Sequence, residues 1–336
     1  MRDGLVSLRL SSMQKMNCQR TFVANLKEIC SRRGIEMAAF SGDWVFCLRK
    51  GERTTYVFGY DFDINSAAAK MICKDKTATS DLLDFHGIPR IEHRIFHGPQ
   101  LAGYVPMEGN WGAMLAFLAA NPAGVVCKPN EGTGGNAVYR TRTAGQLEAA
   151  VYQVFAKSRS LCLSPFEDFE HEYRVALLKG EVQFVYRKVR PSLTGDGIRT
   201  IRTLFLEQFR NIADFTRQMA SMKELAEADI ELERVPALNE LVLLNWRHNL
   251  GQGAAPELLT REHDAWQSVT TLARRAAEAL CVDLSSLDIA ATAGGLKILE
   301  INSGIMMESL VETHPDGPDL ARQFYDRIVC TALGLT

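Results

Sequence analysis

Val125-Val126-Cys127-Lys128-Pro129-Asn130-Glu131-Gly132-Thr133-Gly134-Gly135 and, far downstream, Asp288 followed by Glu300-Ile301-Asn302 are the two stretches on which the fold turns. The first reads as an apolar strand that closes on a lysine and enters a glycine turn. Glycine tolerates φ above zero and lets backbone N–H groups approach an anion closely, so Lys128 with Gly132, Gly134 and Gly135 offers a grip for phosphates. The second stretch offers three oxygen ligands to a hard cation. Together they outline a site for a nucleotide carrying a divalent metal.

Glu300 and Asn302 stand two apart on an expected strand, so their side chains leave the same face. Asp288 joins them only if the hairpin register allows. A three-residue loop at 293 to 295 pairs Thr292 with Leu296 and Asp288 with Glu300, whereas a two-residue loop turns Asp288 away unless a bulge intervenes. Carboxylate and amide oxygens without His or Cys suit magnesium, which takes a few carboxylates plus nucleotide phosphates. The apolar neighbours Leu287, Ile289, Leu299 and Ile301 argue for a half-buried sheet, where an unpartnered carboxylate is costly.

Other site classes fall away. The glycines follow the lysine, so no ordinary P-loop of the form G-x-x-x-x-G-K-[ST] is present. The eight cysteines are scattered without a C-x-x-C pair, which suggests neither a zinc site nor a disulfide framework. His93 and His97 are spaced for a helical metal pair, but Arg90 to Phe96 alternates as a strand does.

The chain of 336 residues suits two or three packed lobes, and 46% apolar with 23% charged residues is ordinary for a globular protein. A formal charge of -2 gives no global attraction to nucleic acid or to anionic lipid. No apolar run reaches the roughly 18 residues of a bilayer span, and Met1-Arg2-Asp3-Gly4 lacks a signal-peptide core, so a cytoplasmic protein without membrane or nucleic-acid partners is expected.

Periodicity predicts a helix from Cys18 to Arg33 with Gly34 as its C-cap, then strands at 35–40, 44–48 and 54–58, a small α/β lobe. Helices follow at 76–85 and 111–120, and Thr143 with Gln146 forms a capping-box pattern for a helix to about Lys157. Strands at 173–178 and 182–189 flank a Lys179-Gly180-Glu181 turn. Helical stretches from Thr200 to about Ala228, a strand near 241–244, a helix after Thr260, a hairpin at 287–301 and a closing helix from Pro318 complete the α+β pattern.

Read in order, these segments resemble the ATP-grasp superfamily. Asp75-Lys76 with Gly87-Ile88-Pro89 resembles its opening "DK…GIP" segment and Val125 to Pro129 its "VVKP" strand. Glu172-Tyr173-Arg174-Val175 resembles "xYRV", Arg190-Pro191 through Gly195-Asp196-Gly197 and Thr200-Ile201 the "P…GDG…TI" loop, and Arg247, Asn249, Leu250 and Gly253 "RxNLxxGG". The likeness spans about residues 70 to 302 and is greatest to the ligase region of cyanophycin synthetase, with glutathione synthetase and D-alanine ligases more distant.

The resemblance implies an ATP-grasp fold: lobes at 73–165 and 166–336 holding ATP between them, behind a small N-terminal lobe at 1–72. It implies ATP and magnesium, with manganese able to substitute, as cofactors, and amino acid or peptide carboxylate and amine substrates, with a homodimer as the assembly to test. Carried over, Lys76 and Lys128 contact phosphates, Glu172 holds the ribose, and Phe166, Glu167 and Phe169 lie near the adenine. Arg247, beside Asn249, stabilises the transferring phosphoryl group. Ser164-Pro165-Phe166 lacks the acidic residue common before the hinge, and Asn302-Ser303-Gly304-Ile305 lacks the usual proline.

The resulting expectation is an ATP-dependent carboxylate-amine ligase. A kinase on the same scaffold would share the nucleotide residues, and a nucleotide-sensing binder would need only some of them. Lys188 and Arg190, aimed at one face by alternation, are candidates for the carboxylate substrate.

Overall fold

The turns expected from glycine and the caps expected from short polar side chains divide the chain into its elements. The computed structural model describes residues 20–101, 103–104, 110–132, 135, 137–208 and 231–335. Helix α1 (Thr21–Arg33) stops where Gly34 takes a φ of 61°, which lets the N–H of Ile35 close on the Cys30 carbonyl. Strands β1 (Glu36–Phe40), β2 (Val45–Lys50), β3 (Arg53–Phe58) and β4 (Asp61–Phe62) follow as an antiparallel meander. Alternation turns Phe46, Leu48 and Val57 toward α1.

Helices α2 (Ala67–Lys74) and α3 (Lys76–Phe85) meet at Asp75, whose extended backbone ends the first. Its carboxylate then accepts from the N–H of Ala78 at 2.8 Å and caps the second, which places Lys76 at the first helical position. Beyond Gly87, residues 89 to 91 bond to Ile298, so the segment after α3 ties the C-terminal hairpin to the next lobe.

That lobe comprises β5 (Arg94–His97), α4 (Asn110–Ala120), β6 (Val125–Pro129), β7 (Tyr139–Thr141), α5 (Ala144–Phe155) and β8 (Ser160–Pro165). Its antiparallel sheet runs β5-β8-β6-β7. Val125 and Cys127 point into a core with Met114, Leu147, Val154 and Leu161, which leaves Val126 and Lys128 on the other face.

The largest sheet, five-stranded, takes the order β13-β10-β9-β14-β15. Its members are β9 (His171–Leu178), β10 (Glu181–Val189), β13 (Ala255–Leu258), β14 (Leu284–Thr292) and β15 (Gly295–Asn302), while β11 (Ser192–Thr194) and β12 (Leu241–Leu243) form a ribbon beside α6 (Ile201–Gln208). Lys179 and Gly180, at φ 51° and 76°, make the two-residue turn between β9 and β10. One sheet face, with Val175, Leu177, Leu287 and Ile289, packs on α7 (Trp266–Ala279) and α2. Each such buried aliphatic side chain contributes roughly 1.5–3 kcal/mol.

Part of the opposite face packs against α1, α8 (Glu308–Thr313) and α9 (Gly317–Ala332) through Phe22, Phe184, Phe324 and Tyr325. The N-terminal meander therefore shares one core with the C-terminal helices and the sheet. Ala69 and Cys73 of α2 belong to the core under the five-stranded sheet together with Leu83 and Ile88. The helix expected to reach Ala228 is seen over α6, and residues 209–230 lie outside those described. No helix among the described residues is long and apolar enough to cross a membrane.

Candidate active site

The five-stranded sheet builds the floor of the site by register. Tyr186, Arg174, Asp288 and Glu300 stand opposite one another across β10, β9, β14 and β15, and Lys188 stands beside Glu172 in the neighbouring row. The hairpin turn has two residues, Ala293-Gly294, with Thr292 opposite Gly295 rather than Leu296. This register alone would place Leu299 against Asp288. Between Ile298 and Glu300, however, Leu299 is an extra residue without a partner, and this bulge restores Asp288 to Glu300 and Ser286 to Asn302.

Four charges interlock on this floor. Arg174 donates both Nε and Nη2 to the Asp288 carboxylate at 2.7 and 2.6 Å, and Lys188 donates to Asp288 Oδ1 at 2.9 Å and to Glu172 Oε1. Burial works to raise the Asp288 pKa, but Arg174 and Lys188 overcome it and hold the carboxyl well below the usual range. Burial and neighbouring Arg174 oppose the Lys188 ammonium; Asp288 and Glu172 outweigh them and keep its pKa raised. Glu172, with Lys188 on one oxygen only, is pushed up by burial.

The opposite wall comes from β6, the glycine turn and the start of α3. Asn130, at the end of β6, accepts from the N–H and hydroxyl of Thr77 at 3.1 and 2.9 Å and so pins the start of α3 beside the glycine turn. Lys76 then reaches the Gly132 carbonyl at 2.8 Å and lies 3.6 Å from Glu300. Lys128 is buried on the same wall. Burial lowers its pKa, and the nearby Lys76 charge adds to that effect. An anion arriving between the two lysines would relieve both costs.

Two short segments, residues 166–169 and 246–249, close the third side. Phe166 meets Trp246 edge to face with ring centres 5.6 Å apart, and Phe169 stacks on His248 at 4.9 Å. Glu167 accepts from Lys297 at 2.7 and 2.8 Å. Arg247 donates across the cleft to the Val138 carbonyl at 2.6 Å. Asn249 supports the Arg247 loop, since its side-chain oxygen accepts from Gly251 N at 2.8 Å and caps a single 3-10 turn.

These walls enclose a cavity of about 310 Å³. Lys76, Lys128, Gly132, Gly135, Phe166, Glu167, Phe169, Glu172, Lys188, Arg247, Asn249, Asp288, Glu300 and Asn302 all line it. Gly134 lies outside the described residues. Arg190 is not on the lining: β10 ends at Val189, alternation lapses there, and Arg190 pairs with Asp168 at 3.2 Å.

Arg174, Trp246, His248, Lys297 and Glu308 bear on the site although the sequence reading assigned them no role. Arg174, two residues after Glu172 on one strand, was legible by alternation; His248 and Trp246 sit in an irregular segment that gives no periodic signal.

Among the described residues no group of three or more His, Cys, Asp and Glu side chains is placed to hold a metal. Two carboxylates and an amide nevertheless suit a hard cation that takes its remaining ligands from phosphates and water.

No protein-family model matches the sequence, and no curated protein is similar to it. Solved structures are. A bifunctional glutathione synthetase from Pasteurella multocida is 16% identical with a TM-score of 0.52, over 91% of this chain and 44% of that one. The D-alanine--D-alanine ligase from Bacillus anthracis is 13% identical with a TM-score of 0.53, over 81% of this chain and 71% of that one, and its structure complexed with ATP gives 14% and 0.50. The chain thus spans less than half of the glutathione synthetase it resembles. Two α+β lobes facing one another across a lysine-lined cleft, matched at this level, give the chain the ATP-grasp fold.

Proposed function

We propose that this chain is an ATP-dependent ligase that joins an amino acid or peptide carboxylate to an amine through an acyl phosphate. The observation that carries the reading is the meeting of Lys128 from the four-stranded lobe and Lys76 from the start of α3 with Asp288, Glu300 and Asn302 from the five-stranded sheet along one cavity. Lys76, Lys128 and the glycine turn hold the phosphates, Glu172 the ribose, and Phe166, Glu167 and Phe169 flank the base. Asp288, Glu300 and Asn302 would hold magnesium or manganese, which neutralises charge on phosphate oxygens when bound.

Activation is needed because an amine meeting a carboxylate is protonated. A carboxylate oxygen attacks the γ-phosphorus and ADP leaves; the amine then attacks the acyl carbon, loses a proton and expels phosphate. Arg247 offsets charge gathering on the transferring oxygens, as phosphoryl transfer requires of positioned cations. Lys188, inside the cavity, is placed to meet an anionic substrate group. Asn249 acts by holding the Arg247 loop, and no nucleophilic side chain is required. The nearer likeness to cyanophycin synthetase, the cytoplasmic location and a homodimer rest on the sequence alone.

The test is ADP release across a panel of amino acids and short peptides offered in pairs. ADP formation that requires both an acid and an amine, with phosphate released in step, is expected. A stable phosphoester formed without an amine would make the chain a kinase instead, and nucleotide binding without turnover for any pair would make it a binder.

A further inference from the structure

Four of the carboxylates that line the cavity are matched by cations. Glu167 meets Lys297, Glu172 meets Lys188, Asp288 meets Arg174 and Lys188, and Glu300 meets Lys76. Glu308, on the same lining, forms no ion pair among the described residues. It opens α8, a little beyond Asn302, on the loop that also brings Gly304 and Met306 to the cavity.

This carboxylate is nevertheless held in place. Its Oε1 accepts from the Tyr60 hydroxyl at 2.7 Å and from the Phe22 N–H, in the first turn of α1, at 3.4 Å. Burial and the carboxylate beside it push the Tyr60 pKa up to about 12, so the hydroxyl keeps its proton and donates. The N-terminal meander and α1 thereby align an acid of the C-terminal segment. All of this support falls on one oxygen. Oε2 is shielded from solvent and has no hydrogen-bond partner among the described residues. Arg20 lies over the Tyr60 ring, 5.4 Å from its centre, but gives its Nη2 to the Asp43 carbonyl and forms no ion pair with Glu308.

A carboxylate oxygen kept from water without a donor is costly, and what it lacks is a donor that also carries positive charge. An ammonium group supplies both. The rest of the lining indicates what brings it. Lys76, Lys128 and Arg247 give the cavity a cationic part, so a molecule with an anionic group there and an ammonium group at Glu308 matches the charge along its length.

We propose that Glu308 Oε2 receives an ammonium group of the carboxylate substrate, so that the site selects an amino acid or peptide bearing that charge over an acid of the same shape without it. The inference rests on the ligase reading above and deepens it. Lys188 meets the anionic group of the substrate and Glu308 its cationic one, with Tyr60 as a positioning residue. The ammonium sits either on the α-carbon or at the end of a side chain, and the test separates these sources.

ADP release by the whole chain with magnesium chloride, in the presence of the amine that the panel identifies, is measured for acids that differ by one ammonium group. Alanine against propionate, glutamate against glutarate and glycylglycine against N-acetylglycine remove the α-ammonium; lysine against norleucine removes the one on the side chain. The charged member of the responsive pairs is expected to have a KM roughly 10- to 100-fold lower than its counterpart. In Glu308→Gln, which keeps an acceptor for Tyr60, this preference should disappear through KM rather than kcat, while the KM for ATP is unchanged. Tyr60→Phe leaves the carboxylate free to turn and should remove part of the preference, roughly 3- to 10-fold.

Equal KM values within every pair for the unaltered chain overturn the proposal. So does a preference that survives Glu308→Gln while both members of a pair slow alike, the result expected of a carboxylate that only ties Tyr60 to α1. If Glu308→Gln does not fold, an unchanged preference in Tyr60→Phe overturns it instead. If no acid and amine support turnover, the ligase reading falls and takes this one with it; turnover without preference removes the role of Glu308 alone.

Discussion

The two ends of one sheet face differ completely in chemistry. Toward one end of β9, β10 and β14 the side chains are Glu172, Arg174, Lys188 and Asp288, tied together as ions; toward the other end of the same strands and the same face they are Ala176, Leu178, Phe184 and Leu284. Strand parity is identical throughout, so backbone geometry does not separate them. What lies opposite does. The polar end faces Lys76 and Lys128 across the cavity, and the apolar end lies under Phe22, Phe324 and Tyr325. Alternation therefore selects the face, and the covering element selects what the face is for.

If that division holds, changes at the polar end should strike chemistry and changes at the apolar end should strike stability. The largest effect is expected from Glu300→Gln and Lys128→Ala, each of which should cut ADP formation by about 10³-fold or more while thermal unfolding stays near that of the unaltered chain. Full activity in either variant would break the comparison by removing the polar end from the reaction.

The reciprocal change sharpens it. Phe324→Ala empties space above the apolar end and should destabilise the fold by about 3–5 kcal/mol in denaturant titration. ATP affinity of the molecules that remain folded should be unchanged. A loss of affinity equal to the loss of stability would mean that the two ends are one cooperative unit.

A smaller effect, set by pH, comes from His248 at the cavity margin. The unfolded chain protonates this imidazole near its ordinary value of 6.5, whereas in the folded chain burial defers protonation to about 4. The unfolded state binds the extra proton within that interval, so stability is complete above it and is lost as pH falls through it, by about 3 kcal/mol at most. His248→Asn should flatten this part of the stability profile. An unchanged slope would assign the acid sensitivity to other groups.

Much of the architecture could be read from residue order because local chemistry and final packing agree. Lys76 to Phe85 is helical as expected, since Asp75 caps it; Gly34 ends α1, and Lys179-Gly180 turns β9 into β10. The site was legible where alternation or motif order carried it, which is why Lys128, Glu172, Asp288, Glu300 and Asn302 come together on one cavity. Legibility failed where regular structure stops. Arg190 follows the last residue of its strand, and His248 and Trp246 occupy a coil segment whose course is set by tertiary contacts. Helix α2, capped by Ser66, also went unread: it spans only eight residues, Ala67–Lys74, and Ala69 and Cys73 are the side chains it buries against the sheet.

The unpaired Leu299 makes β15 a strand with two reading frames. From the turn to Ile298 its residues are counted for packing, and from Glu300 onward for chemistry, with one supernumerary residue as the join. Forcing Leu299 into a regular pair with Asp288 would swing Glu300 and Asn302 to the underside, among the aliphatic side chains that meet α7, whereas deleting Leu299 outright would leave Glu300 as the residue opposite Asp288. The face that the end of this strand presents is thus set by the one residue left out of the pairing, and substitutions that favour a regular ladder there would turn its polar end away from the cleft.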